Sequence, residues 1–125
     1  FGVLPDAEVE PEHTAMLLFS GEQEDLSYAV RPSYWPGIDL VCAAPLLFGA
    51  EFALPARQTR DPGFEFWRCL DRGLDQARSD YDVIVIDTPP ALSYVTINAL
   101  MAADGVIMPV PPSATRIAAL SNGLA

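Results

Sequence analysis

From Val83 to Ile86 the chain is apolar and β-branched without a break, and it stops abruptly at Asp87, Thr88, Pro89 and Pro90. A strand with one wet face alternates in polarity; a run without alternation needs cover on both faces, the habit of a central strand in a parallel sheet. A second run of this kind spans Val106 to Val110 and ends at Pro111, Pro112 and Ser113. Each is followed by a segment of helical character, 94–103 after the first and 115–124 after the second. Strand, helix, strand, helix in this rhythm implies right-handed parallel crossovers. The expected fold is therefore α/β, a mostly parallel doubly wound sheet flanked by helices. In such sheets ligands bind beyond the carboxyl ends of the strands, where Asp87 falls. A carboxylate there can hold a metal-bound water or a phosphate-linked cation. Pro89 and Pro90 end the strand and stiffen the turn, because neither can donate a ladder hydrogen bond.

The upstream half is punctuated more often. Residues 14–19 form a short helix candidate closed by Ser20 and Gly21. Around 28–31 the chain turns extended, and Pro32, Pro36 and Gly37 precede a short strand candidate over 38–43. A helix over 46–54 would have Pro45 in its first turn. Asp61-Pro62-Gly63 reads as the opening of the clearest helix, with Asp61 as N-cap and Pro62 at the first helical position. Within that helix Trp67, Leu70, Leu74 and Ala77 fall on one apolar stripe. Core packing suits Trp67 better than a role in stacking on nucleic-acid bases.

At 125 residues the chain has the length of a single domain able to bury a sizeable core. Its apolar runs fall far short of the roughly 20 residues that span a bilayer, so no membrane role is expected and a cytoplasmic protein is the simplest reading. Seventeen acidic residues face seven basic ones, all arginine, for a formal net charge of −10. That balance opposes nonspecific nucleic-acid binding by this segment, since phosphate contacts rely on Lys and Arg. The acidic stretches 6–12 and 22–25 read as solvated faces. Cys42 and Cys69 lack a C-x-x-C partner or a histidine at ligand spacing, so both read as small buried hydrophobes suited to a reducing compartment. His13, the single histidine, reads as a surface residue and excludes a histidine-rich zinc site.

Two stretches resemble a known family. YDVIVIDTPPALSYVTINALMAADGVIMPVPPS, residues 81–113, closely resembles the Walker B region of the plasmid partition ATPases, the ParA type within the deviant-Walker P-loop ATPases. VRPSYWPGIDLVCA, residues 30–43, is similar to the subgroup called RepA in alphaproteobacterial replication and partition operons. The opening FGVLPD resembles the segment just after that family's switch I. The resemblance implies that Asp87 is the Walker B aspartate, helping to hold Mg²⁺ through water beside the β and γ phosphates of ATP. It implies that Thr88, Pro89 and Pro90 form the turn shaping the nucleotide side of the sheet, where the family often has Cys-Pro-Pro. Residues 93–98 would lie in or next to switch II. Ala102, Ala103, Asp104 and Gly105 match a structural corner of small residues.

No G-x-x-x-x-G-K-[ST] loop occurs, and without lysine no lysine-rich variant of it can. The expectation is an internal piece, 1–125, of one incomplete P-loop NTPase-like domain, with the phosphate loop upstream and a further part downstream. Such a piece alone should bind and hydrolyse no ATP, although it could self-associate through apolar edges. The parent, by resemblance, is an ATPase that forms an ATP-dependent homodimer, binds DNA nonspecifically and responds to a centromere-binding partition protein. Two other readings stay open: a receiver-like phospho-acceptor signalling domain, which would want an early acidic pair and a late lysine, and a division-site-positioning ATPase of the same superfamily.

Overall fold

Thr14 sets up the first helix. Its Oγ1 donates to Pro11 O at 3.0 Å and accepts from Met16 N at 3.1 Å, fixing the chain's entry into Met16–Ser20 (α1). Gly21 closes that helix at φ +90°, its N–H donating to Leu17 O and Leu18 O, in a conformation side chains rarely adopt. The expected helix with its Ser20-Gly21 stop is thus present. The computed structural model describes residues 9–110; the expectations for residues 1–6, 111–113 and 115–124 lie outside the described residues.

The hairpin of Arg31–Pro32 (β1) and Asp39–Leu40 (β2) follows, paired antiparallel with Arg31 opposite Leu40. This is the one ladder among the described residues. The strand expected over 38–43 is therefore reduced to two paired residues, in the opposite sense to a parallel sheet. Residues 83–86 and 106–110 carry no ladder; Val83 is 76% exposed, Val85 86% and Ile107 94%. A parallel strand acquires its ladder only from neighbours on its edges, and no described segment occupies those edges.

The packing is instead helical. A 3-10 helix at Pro45–Gly49, with Pro45 in its first turn as expected, leads directly into Ala50–Arg60 (α2), which runs through Pro55 and past the expected end at 54. An interior proline removes one helical bond and ordinarily breaks a helix. Here the buried Ala50 and Leu54 hold the helix before the proline, and Arg57, bonded to Leu18 O and Phe19 O, holds it after.

Asp61 does not open a helix; it ends α2. Its Oδ1 accepts from Gly63 N at 3.0 Å, and its main-chain O accepts from Phe64 N at 2.9 Å, so Asp-Pro-Gly makes a turn. Helical structure resumes only at Phe66–Arg68, continuing as Cys69–Gly73 (α3) and Asp75–Asp80 (α4). The shifted start leaves Trp67 off the apolar stripe. Leu70 and Leu74 are buried and Ala77 packs on the core as expected. Trp67 is half-buried, edge-on to Phe66, and it is Phe66 that reaches the core and the ring of Tyr94, at 5.0 Å.

Tyr94–Ala102 (α5) matches its expected span within one residue. It packs on α3, on α2 and on the Phe66 turn, completing a core of Leu18, Phe19, Leu54, Leu70, Leu74 and Ala99. Cys69 is buried, with burial raising its thiol pKa, whereas Cys42 and His13 are half-buried and joined by the bond from Cys42 N to His13 O. The acidic residues Glu22, Glu24 and Asp25 are exposed, as expected of a solvated face.

Candidate functional site

Asp87 closes the apolar segment 83–86 and is exposed, together with Thr88, Pro89 and Pro90. Ala91 N donates to Pro89 O at 2.8 Å, so the two prolines form a tight bend before α5 begins. The four predicted residues are consecutive on this loop. Among the described residues, no group of three or more His, Cys, Asp or Glu side chains gathers to hold a metal ion. A single exposed carboxylate suits a cation such as Mg²⁺, which keeps several waters and takes its other ligands from phosphate. A shallow cleft lined by Ser27, Val30, Gln76, Ala77, Asp80 and Tyr81 includes none of the four.

The segment carrying Asp87 is fastened at both ends. At its start, Tyr81 Oη donates to Asp39 Oδ2 at 2.6 Å, tying it to β2, and this bond raises the pKa of the Tyr81 phenol. At its end, the opening N–H groups of α5 are all satisfied. Tyr94 N donates to Glu51 Oε2 at 2.9 Å and Val95 N to Glu51 Oε1 at 3.1 Å, so one carboxylate from α2 spans both. Thr96 N donates to Ser93 Oγ at 3.1 Å and Ile97 N to Ser93 O at 2.9 Å. Helix termini leave such donors orphaned unless side chains meet them, and negative charge is favoured there.

Two further contacts hold α5 in place. Asn98, fully buried, accepts at Oδ1 from Leu70 N at 2.9 Å and donates from Nδ2 to Tyr94 O at 3.0 Å. Arg78 reaches Ala102 O at 3.2 Å at the other end of the helix while paired to Asp71 at 2.7 Å; the Asp71 bond raises its pKa further. Sequence reasoning placed 93–98 beside the site but missed Glu51, whose partners lie 43 and 44 residues away. No local pattern carries that pairing.

The comparisons with known proteins add the family. A family model described as an AAA domain matches residues 6–123. SopA of Escherichia coli K12 is 35% identical over 115 residues, covering 88% of this chain and 29% of SopA. A replication protein A of Sinorhizobium fredii is 29% identical over 126 residues, covering 98% of this chain and 31% of that protein. The chromosome partitioning protein ParA of Myxococcus xanthus is 40% identical over 81 residues, 65% of this chain and 26% of that protein. This chain belongs to the ParA-type partition ATPase family. It spans about a third of the length of the relatives it matches. Family membership fits an α/β, P-loop NTPase-like fold. No solved structure matches. No described helix is long and apolar enough to cross a membrane.

Proposed function

We propose that residues 1–125 are the central part of a single ATPase domain that couples ATP to the segregation of plasmid DNA. The observation that carries the reading is Asp87, exposed at the end of an apolar segment and followed by a bend and a pinned helix, in a chain of the ParA-type family. In this reading 83–87 and 106–110 are central strands of the complete domain's parallel, doubly wound sheet. Their apolar composition and exposed side chains are what strands awaiting covering layers on both faces would have.

Phosphoryl transfer is mostly positioning and charge neutralisation, so the whole site needs a phosphate loop, a basic group and a metal-holding carboxylate. This chain contributes the carboxylate. Asp87 would accept hydrogen bonds from the waters of the bound cation, Thr88 would add a hydroxyl, and Pro89 and Pro90 would limit how far the loop can stray. Bound Mg²⁺ would supply neutralisation of the phosphate charge. Lacking a phosphate loop, the segment alone neither binds nor hydrolyses ATP; the full-length protein does both, in the cytoplasm, as an ATP-dependent homodimer. Nonspecific DNA and a centromere-binding partition protein are its partners. With a net charge of −10 this segment is not the DNA-binding surface.

Calorimetry with Mg²⁺ and ATP on this chain and on a form extended upstream through the phosphate loop tests the reading. Binding by the extended form only, with turnover impaired by Asp87→Ala, is the expected result. Absence of binding in both forms would remove the physical basis of the Asp87 assignment.

A further inference from the structure

We infer that Glu51 is a positioning residue for the loop between Asp87 and α5, holding the loop's far end by closing the helix terminus. The inference rests on the functional reading above. Its geometric basis stands in the bonds already described: one side chain, from a helix remote in sequence, meets the first two N–H groups of α5, and Ser93 meets the next two. No donor of that first turn is left over for an anion, so the terminus is committed to Glu51.

Both carboxylate oxygens are used, one per N–H, and this two-point attachment fixes the direction of the helix axis as well as its position. Asn98 and the Phe66–Tyr94 ring contact then secure the helix body to α3 and the turn before it. With the helix body secured there, Glu51 governs the exit of the loop. A displacement of about 1 Å in a positioning element is enough to cost an enzyme up to a hundredfold in rate.

The test uses the full-length protein with Glu51→Gln and Glu51→Ala. Glutamine keeps one acceptor oxygen and loses the other, so it should fall between glutamate and alanine. Amide hydrogen exchange at Tyr94 and Val95 should quicken in the order Glu, Gln, Ala, with about a tenfold change for alanine, reporting the local opening of the helix start. The kcat for ATP should fall in the same order, by about tenfold for alanine, while KM stays within about twofold, the mark of an effect on the reacting geometry rather than on uniform binding. Measured well below the melting temperature of each variant, a contribution to stability alone would leave kcat unchanged.

Faster exchange with unchanged kcat would overturn the positioning role and leave the ATPase reading intact. Unchanged exchange in Glu51→Ala would overturn the attachment itself. Wild-type protein that turns over no ATP would overturn the functional reading, and the role of Glu51 in turnover with it.

Discussion

Tyr28 shows how much one side chain can hold. Its hydroxyl donates to Thr14 O at 2.6 Å and accepts from Leu18 N at 3.1 Å, joining the entry of α1 to the segment before the hairpin. Burial raises its phenol pKa above the ordinary tyrosine range, against smaller lowering effects of its hydrogen bonds. The folded state therefore binds this proton more tightly than the unfolded chain. Its contribution is fully present below the unfolded tyrosine pKa and is lost as pH rises through the higher folded value. Chemical denaturation across the alkaline range should show stability falling over that window, and Tyr28→Phe should shallow the fall while costing about 1 kcal/mol at neutral pH through lost hydrogen bonds. An alkaline limb unchanged in Tyr28→Phe would contradict this. At this scale legibility depends on sequence distance. Asp87 could be singled out because the strand-ending pattern around it is local, whereas the partners of Tyr28 lie 10 and 14 residues away and those of Glu51 further still.

Elements pack here through close approaches that a sequence does not announce. Gly73 lets α3 lie directly against α1: a Cβ at that position would stand 2.5 Å from Leu18 Cδ2 and 2.8 Å from Leu18 Cδ1. Its carbonyl also accepts from Leu26 N at 2.9 Å, so the backbone cannot simply withdraw. Gly73→Ala should destabilise the protein by about 1–3 kcal/mol, the usual range for overpacking a core contact, despite the better helix propensity of alanine. Urea denaturation would measure it, and a neutral or stabilising result would show that Leu18 can move aside. The helix at 94–102 was legible because its start has a local signal, Ser93, and its apolar residues continue to the end. The helix expected from Asp61 was not, since Asp-Pro-Gly is compatible with a helix start and with a turn. The turn is what forms, ending one helix instead of opening another.

At the scale of the molecule, the described residues make a helical core with two apolar segments without secondary structure beside it, most of their side chains exposed. An unpaired strand is a ready template for another chain. Sedimentation at rising concentration should show self-association of this chain, strengthened by added salt because salt screens repulsion between copies of net charge −10. Val85→Lys or Ile107→Lys should weaken it, and a monomer at every concentration and salt level would refute it. The strands expected over 83–86 and 106–110 are not formed among the described residues, because a sheet is a property of neighbours and the described neighbours are helices and loops. One feature of α2 bears on how that core communicates with the loop after Asp87. Arg57, in its second half, grips Leu18 O and Phe19 O at 3.1 and 2.9 Å, while Glu51, in its first, grips α5. Between them Pro55 has no N–H to give the carbonyl of Glu51, so the rod joining the two grips is most compliant in its middle. Leu54, fully buried next to the proline, ties this weak point of the helix directly to the core.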